Sequence, residues 1–120
     1  MRRVIARILV AAVLVAGAFA PAMAGAVGGP RYGRYRVGAN STHTFTVAFH
    51  GGEQARVVLS GDGDTDLDVY VFDWYGNRVA VDADYTDDCY TSWYVPRRGI
   101  YTIKVVNRGN VYNEYEMAIN

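Results

Sequence analysis

All nine aspartates of the chain fall between Asp62 and Asp88, and Asp62, Asp64, Asp66 and Asp68 occupy every second position of Gly61–Asp68. Arg78 is the single base in that span, so nine carboxylates face one guanidinium and the local charge is about −8. Crowded carboxylates repel one another. Folding them together costs free energy unless backbone N–H groups, a bound cation or solvent compensates. The run Asp62, Asp64, Asp66, Asp68, Asp73 matches positions 1, 3, 5, 7 and 12 of a helix-loop-helix calcium loop. Position 6 of that loop needs glycine for its sharp turn, and here it is Leu67. The residues that follow read as a strand where the motif needs a helix, so an EF-hand is excluded. A calcium site of a different kind fits better. On an extended strand Asp66 and Asp68 share one face, with carboxylates roughly 7 Å apart. Loop acids, with Asp64 and Asp84 the first candidates and Asp82, Asp87 and Asp88 behind them, would complete a set of hard oxygen ligands that selects calcium over zinc or copper. The competing reading needs no metal. In it Asp62 and Asp64 cap turns beside Gly61 and Gly63, and Asp66 bonds the backbone of a neighbouring loop.

Catalytic constellations are absent from the sequence. His43 and His50 sit at opposite ends of one predicted strand region, about 20 Å apart at the extended rise, and cannot act on one atom. Ser41, Ser60 and Ser92 lie in no nucleophile motif, and Asp64-Thr65 is followed by Asp66 rather than the glycine of an aspartic-protease signature. An aspartate-rich loop always offers carboxylate pairs for glycoside hydrolysis, but so small a domain leaves little room for a cleft. The expectation is a protein that is not an enzyme. Ten tyrosines and two tryptophans offer a different chemistry, a stacking platform for a protein or polysaccharide partner. Trp74, Trp93, Tyr70 and Tyr101 fall at inward-facing strand positions and are assigned to the core. Tyr75, Tyr85, Tyr90 and Tyr94 are the candidate ligand-binding residues, with Tyr112 also expected at the surface.

The elements that must position these groups are strands. Residues 1–24 read as an export signal: Arg2, Arg3 and Arg7, then an apolar run of 13 residues from Ile8 to Ala20, then the small-x-small site Ala22-Met23-Ala24. The run is short for a membrane span, which needs about 20 apolar residues. Cleavage there leaves 96 residues with 9 basic and 12 acidic side chains, a net charge of −3. That length makes one small domain. Cys89 is the only cysteine, so no disulfide forms within the chain, and a buried thiol is expected. Residues 25–38, rich in Gly, Arg and Tyr, read as a flexible mature N-terminus. From residue 39 to 120 a β-sandwich is expected. His43, Phe45, Val47 and Phe49 alternate with Thr44, Thr46 and Ala48, and Ala55, Val57 and Leu59 continue the period on a second strand. Leu67–Trp74 is apolar on both faces and is placed centrally in a sheet. Tyr75-Gly76-Asn77 turns the chain into Arg78–Val81. Cys89–Val95, Ile100–Val106 and Tyr112–Ile119 complete about seven strands at sandwich spacing.

Three of these stretches carry a family likeness: the strand Asp66-Leu67-Asp68-Val69-Tyr70-Val71-Phe72-Asp73, the hairpin Gly76-Asn77, and Gly99-Ile100-Tyr101-Thr102-Ile103-Lys104-Val105. Over about residues 36–120 the chain resembles the bacterial pre-peptidase C-terminal domain family, small jelly-roll-like antiparallel β-sandwiches attached to secreted proteases and other exported enzymes. The resemblance implies a non-catalytic exported module, periplasmic or secreted, that serves processing, secretion or substrate adhesion. No protease domain precedes the module here, so a stand-alone member is expected. Collagen-binding relatives hold calcium with acids just before the sandwich as well as within it, whereas this chain has no acid between Gly25 and His50. Two functions follow as expectations. One is a binding module, stiffened by calcium or not, for a protein or polysaccharide in the envelope, with no nucleic-acid partner. The other is a structural or chaperone-like accessory to a separate exported enzyme such as a protease.

Overall fold

The computed structural model describes residues 25–120, and the expected signal segment, 1–24, lies outside the described residues. Eight strands run in chain order: β1 (Arg31–Val37), β2 (Thr42–Phe49), β3 (Glu53–Ser60), β4 (Leu67–Phe72), β5 (Arg78–Asp82), β6 (Asp88–Val95), β7 (Gly99–Asn107) and β8 (Asn113–Ile119). They form two four-stranded antiparallel sheets, β1-β8-β3-β6 and β2-β7-β4-β5. That order, with its crossings between two sheets, is a jelly roll. The all-β sandwich read from the alternating pattern is therefore the fold observed, with one strand more at the N-terminal end.

Alternation builds the core as expected. Ala55, Val57 and Leu59 of β3 and Tyr115, Met117 and Ile119 of β8 face Leu67, Val69 and Val71 of β4 and Ile103 and Val105 of β7, all buried. At one end Phe49, Trp93 and Tyr101 close the core with ring centroids 5.3–5.7 Å apart, two of the three pairs edge-on. At the other, Tyr35, His43, Phe45 and Tyr115 form a second cluster in which His43 Nδ1 lies 2.7 Å from the Tyr115 hydroxyl. Burial holds the His43 ring below the ordinary histidine range and pushes the Tyr115 hydroxyl up. Cys89 is buried, as expected, and its thiol donates to the Leu67 carbonyl.

Two expectations need correction. Residues 25–38 are not a loose tail. Arg31–Val37 pairs with β8 over seven registers, Val37 is buried, and Ala26 bridges Phe49. The arginines that suggested a solvated tail instead lie across the strand from glutamates. Arg34 pairs with Glu116, and Arg36 with Glu114 at 2.6 Å. The other correction concerns Tyr70 and Trp74, both assigned to the core. Tyr70 is only half-buried, on the outer face of β4, where its hydroxyl accepts from Arg108. Trp74 is placed inward only by extending the alternation of β4. The strand stops at Phe72 and Trp74 lies outside it, 69% exposed.

Candidate functional site

Trp74 stands out because Asp73 turns the chain. One Asp73 carboxylate oxygen accepts the N–H groups of Tyr75 and Asn77, each at 2.9 Å, while the backbone closes from Asp73 N–H to the Asn77 carbonyl at 2.9 Å. Gly76 supplies the left-handed residue that this turn requires, at φ 85°. The capped turn holds two aromatic rings away from the core, with Tyr75 84% exposed. Opposite it the β6–β7 turn presents Pro96, Arg97 and Arg98, and Gly51 lets the β2–β3 turn press against the Arg97 backbone, where a Cβ would collide. Gly52 N–H donates to the Val95 carbonyl at 2.6 Å and fixes that contact.

Between these turns lies a groove of about 740 Å³, floored by Ala48, Ile100 and Tyr101 and walled by Trp74, Tyr75, Pro96, Arg97 and Arg98. The Phe49–Trp93–Tyr101 cluster packs beneath it, so the floor is rigid. Among the described residues neither Arg97 nor Arg98 has a carboxylate within ion-pair distance. Exposed rings beside unpaired guanidiniums can stack on flat apolar groups and bond anionic ones, the Arg fork meeting carboxylates in two-point geometry.

Of the four tyrosines expected at a site, Tyr75 alone lines this groove. Tyr85 is on the β5–β6 loop, 96% exposed, and Tyr90 and Tyr94 project from the outer face of β6 opposite Val58 and Gln54. All four are exposed, as their spacing indicated, but the fold does not gather them into one patch.

The aspartates mostly hold loops. Asp62 accepts the N–H groups of Asp64 at 3.0 Å and Glu114 at 2.8 Å, and Asp84 accepts the N–H and hydroxyl of Thr86, both at 3.0 Å. Asp87 accepts from Gly63 N–H at 2.6 Å and from Asn113 Nδ2 at 3.0 Å. Asp82 takes the Tyr90 N–H at 2.7 Å. The proposed ligand set Asp64, Asp66, Asp68 and Asp84 is not assembled: among the described residues no three His, Cys, Asp or Glu side chains converge to hold a metal. The physical reason is Arg108. Its Nε donates to Asp68 at 2.8 Å and its Nη2 to the Tyr70 hydroxyl at 3.0 Å, so a guanidinium already stands beside this strand. Asp84 is meanwhile turned into its own loop, and Asp64 points to solvent. The expected bond from the Asp66 side chain to a neighbouring loop is also not made. The Asp66 carbonyl accepts the Arg108 N–H instead, and its Oδ1 is buried without a partner.

No protein-family model matches the chain, and no curated protein matches it. Solved structures do. The pre-peptidase C-terminal domain of a Bacillus anthracis collagenase superposes with a TM-score of 0.61 at 13% identity, covering 76% of this chain and 87% of that one. The fold is shared with that domain. Aeromonas hydrophila PliG, a periplasmic inhibitor of g-type lysozyme, gives 0.58 at 14% identity, covering 81% and 86%. A Yersinia pseudotuberculosis-derived mitogen gives 0.56 at 11%, covering 76% and 84%. Identities this low establish a common sandwich and leave the groove to be read from its own residues. Among the described residues no helix is long and apolar enough to cross a membrane.

Two parts of the groove escaped the sequence reading. Trp74 was hidden by an alternation that ran on past the strand end, although the Asp73–Gly76–Asn77 turn chemistry marked the exit. Arg97 and Arg98 carry no signal of a site in the sequence, because only the fold brings them opposite Trp74.

Proposed function

We propose that the protein is a non-catalytic exported binding module that engages an acidic protein or polysaccharide partner through the groove between the β4–β5 and β6–β7 turns. The observation that carries this reading is the exposed pair Trp74 and Tyr75, held on a capped turn beside the unpaired Arg97 and Arg98. Burying a solvated indole gains free energy only against a partner. Export is supported by the arginine start, apolar run and Ala-x-Ala site of residues 1–24. The likeness in fold to a collagenase accessory domain and to a periplasmic inhibitor of a protein is in keeping with a module that binds and does not catalyse. So is the placement of the histidines, His43 being bonded to Tyr115 while His50 lies past the other end of β2.

The test is titration with uronate-containing and neutral oligosaccharides and with acidic peptides, comparing wild type, Trp74→Ala and Arg97→Gln/Arg98→Gln. Trp74→Ala is expected to cost about 2 kcal/mol, roughly thirtyfold in Kd. The double arginine variant is expected to lose the salt dependence of binding. Undiminished binding by Trp74→Ala would place the interaction elsewhere.

A further inference from the structure

The free side of β2 is half occupied by the chain itself. Val27 N–H donates to the Ala48 carbonyl at 2.8 Å and His50 N–H to the Gly25 carbonyl at 2.9 Å, with Ala26 opposite Phe49. Alternate residues of an antiparallel strand turn both backbone groups to one side, and β2 keeps unbroken register with β7. The outward carbonyl of Ala48 therefore places the N–H and C=O groups of Thr42, Thr44 and Thr46 on the same free side. Gly25–Val27 runs antiparallel to β2, and its next residues would continue along the edge past Thr46. They do not. Gly28 and Gly29, at φ 91° and 99°, and Pro30 turn the chain away to β1. A ninth strand is begun and broken off, leaving Thr42–Thr46 unpaired among the described residues.

Open edges are normally protected by charge, proline, bulges or brevity. Three of the four edges here have such protection. β1 carries Arg31, Arg34 and Arg36. β5 is five residues long, holds Arg78 and Asp82, and meets β4 through a bulge. β6 begins at Asp88, and its Tyr90 N–H is taken by Asp82. β2, Thr-His-Thr-Phe-Thr-Val-Ala-Phe, contains no Asp, Glu, Lys, Arg or Pro.

We infer that Thr42–Thr46 pairs with the same stretch of a second copy of this chain, antiparallel about a two-fold axis through Thr44. The register follows from the open positions. Thr44 meets its own counterpart and Thr42 meets Thr46, so every outward donor and acceptor finds its complement. On the outer face this sets threonine opposite threonine, a favourable cross-strand pair. On the inner side His43 comes opposite Phe45 of the second copy, covering the half-buried His43 and Phe45 rings and the exposed Tyr35 ring packed against them. Charge selects the self-pairing as well. β2 brings no Asp, Glu, Lys or Arg to the axis and its His43 meets Phe45, whereas β1 paired with itself would oppose arginines. The product is one continuous eight-stranded sheet, β5-β4-β7-β2 joined to its two-fold image. It goes beyond the groove reading and does not rest on it.

Sedimentation equilibrium of the protein, with Thr44→Lys and Thr44→Glu alone and mixed, tests this. Thr44 is exposed on the outer face, so neither substitution disturbs the core. The wild type is expected to dimerise reversibly. Each variant should be monomeric where the wild type is dimeric, and an equimolar mixture should recover the dimer. Amide exchange at Thr42, Thr44 and Thr46 should slow as the dimer forms. A wild type monomeric at every concentration overturns the proposal, and so does a Thr44→Lys protein that dimerises as well as the wild type. Protection of those three amides that appears only when an unrelated extended peptide is added would give the edge to a foreign strand and overturn it equally.

Discussion

Burial lifts the Asp66 carboxyl above the usual carboxylate range, and the charges of Asp68 and Asp84 lift it further against the pull of Arg108. Asp88 is raised in the same way, by burial first and by Asp87 next, against a hydrogen bond from Ser60. Both groups bind their proton more tightly folded than unfolded. The stability this gives is complete below the ordinary carboxylate pKa and is lost as pH rises through the raised value. At neutral pH, therefore, the Asp66 charge opposes folding. Asp66→Asn is expected to raise Tm at pH 7 and to leave it nearly unchanged below about pH 4, as calorimetry at the two pH values would show. An equal shift at both contradicts the assignment, and a calcium-dependent rise in Tm that the substitution abolishes would give the cluster a cation to hold. Asp68 poses the opposite case, because its partner is at hand. Arg108→Gln strands a carboxylate that is 8% exposed and is expected to cost about 2 kcal/mol in denaturant titration. Asp68→Asn should cost less, since the released guanidinium is half exposed and finds water. Neither the pair nor its consequence could be read from the sequence, because Arg108 lies 40 positions from Asp68 and only the β4–β7 pairing brings them together.

Two residues, Asp73 and Gly51, decide whether a groove exists at all. The Asp73 cap carries the β4–β5 turn, and Gly51 carries the contact between the β2–β3 and β6–β7 turns. Asp73→Ala removes the acceptor for two backbone N–H groups, at an expected cost of about 1 kcal/mol, and should lower affinity because Trp74 loses its fixed direction. Gly51→Ala drives a methyl group into the Arg97 backbone and is expected to cost about 1–3 kcal/mol. Thermal unfolding and the binding titration together separate the two effects. Elements with one apolar face were legible: β2, β3, β6, β7 and β8 follow the period-2 pattern to within a residue or two. β1 was not, because an edge strand with Arg31 and Gly33 among its inward positions and Arg34 and Arg36 outward has little apolar face to show. The end of β4 was misplaced for the converse reason, Trp74 being apolar and in phase but beyond a turn.

At the scale of the molecule, the first and last strands lie side by side, so the domain is closed by its own ends. β1 covers β8 along its whole length, and Val37 is fully buried. A chain shortened to begin at Gly38 is therefore expected to lose its cooperative unfolding transition, whereas a flexible N-terminus would have left it intact. The sandwich was readable because it rests on periodicity. The groove was not, because it is assembled from three turns far apart in sequence. Trp74 stands as a solvated indole on the groove wall, and acrylamide quenching of tryptophan emission reads its exposure and any cover a partner gives it. Wild type should show one strongly quenched component that is missing in Trp74→Phe, beside the shielded Trp93, and a soluble polyuronate or acidic peptide that binds should protect it. A quenchable component that survives Trp74→Phe, or a bound partner that leaves Trp74 as accessible as before, would mean that the groove is not the binding surface.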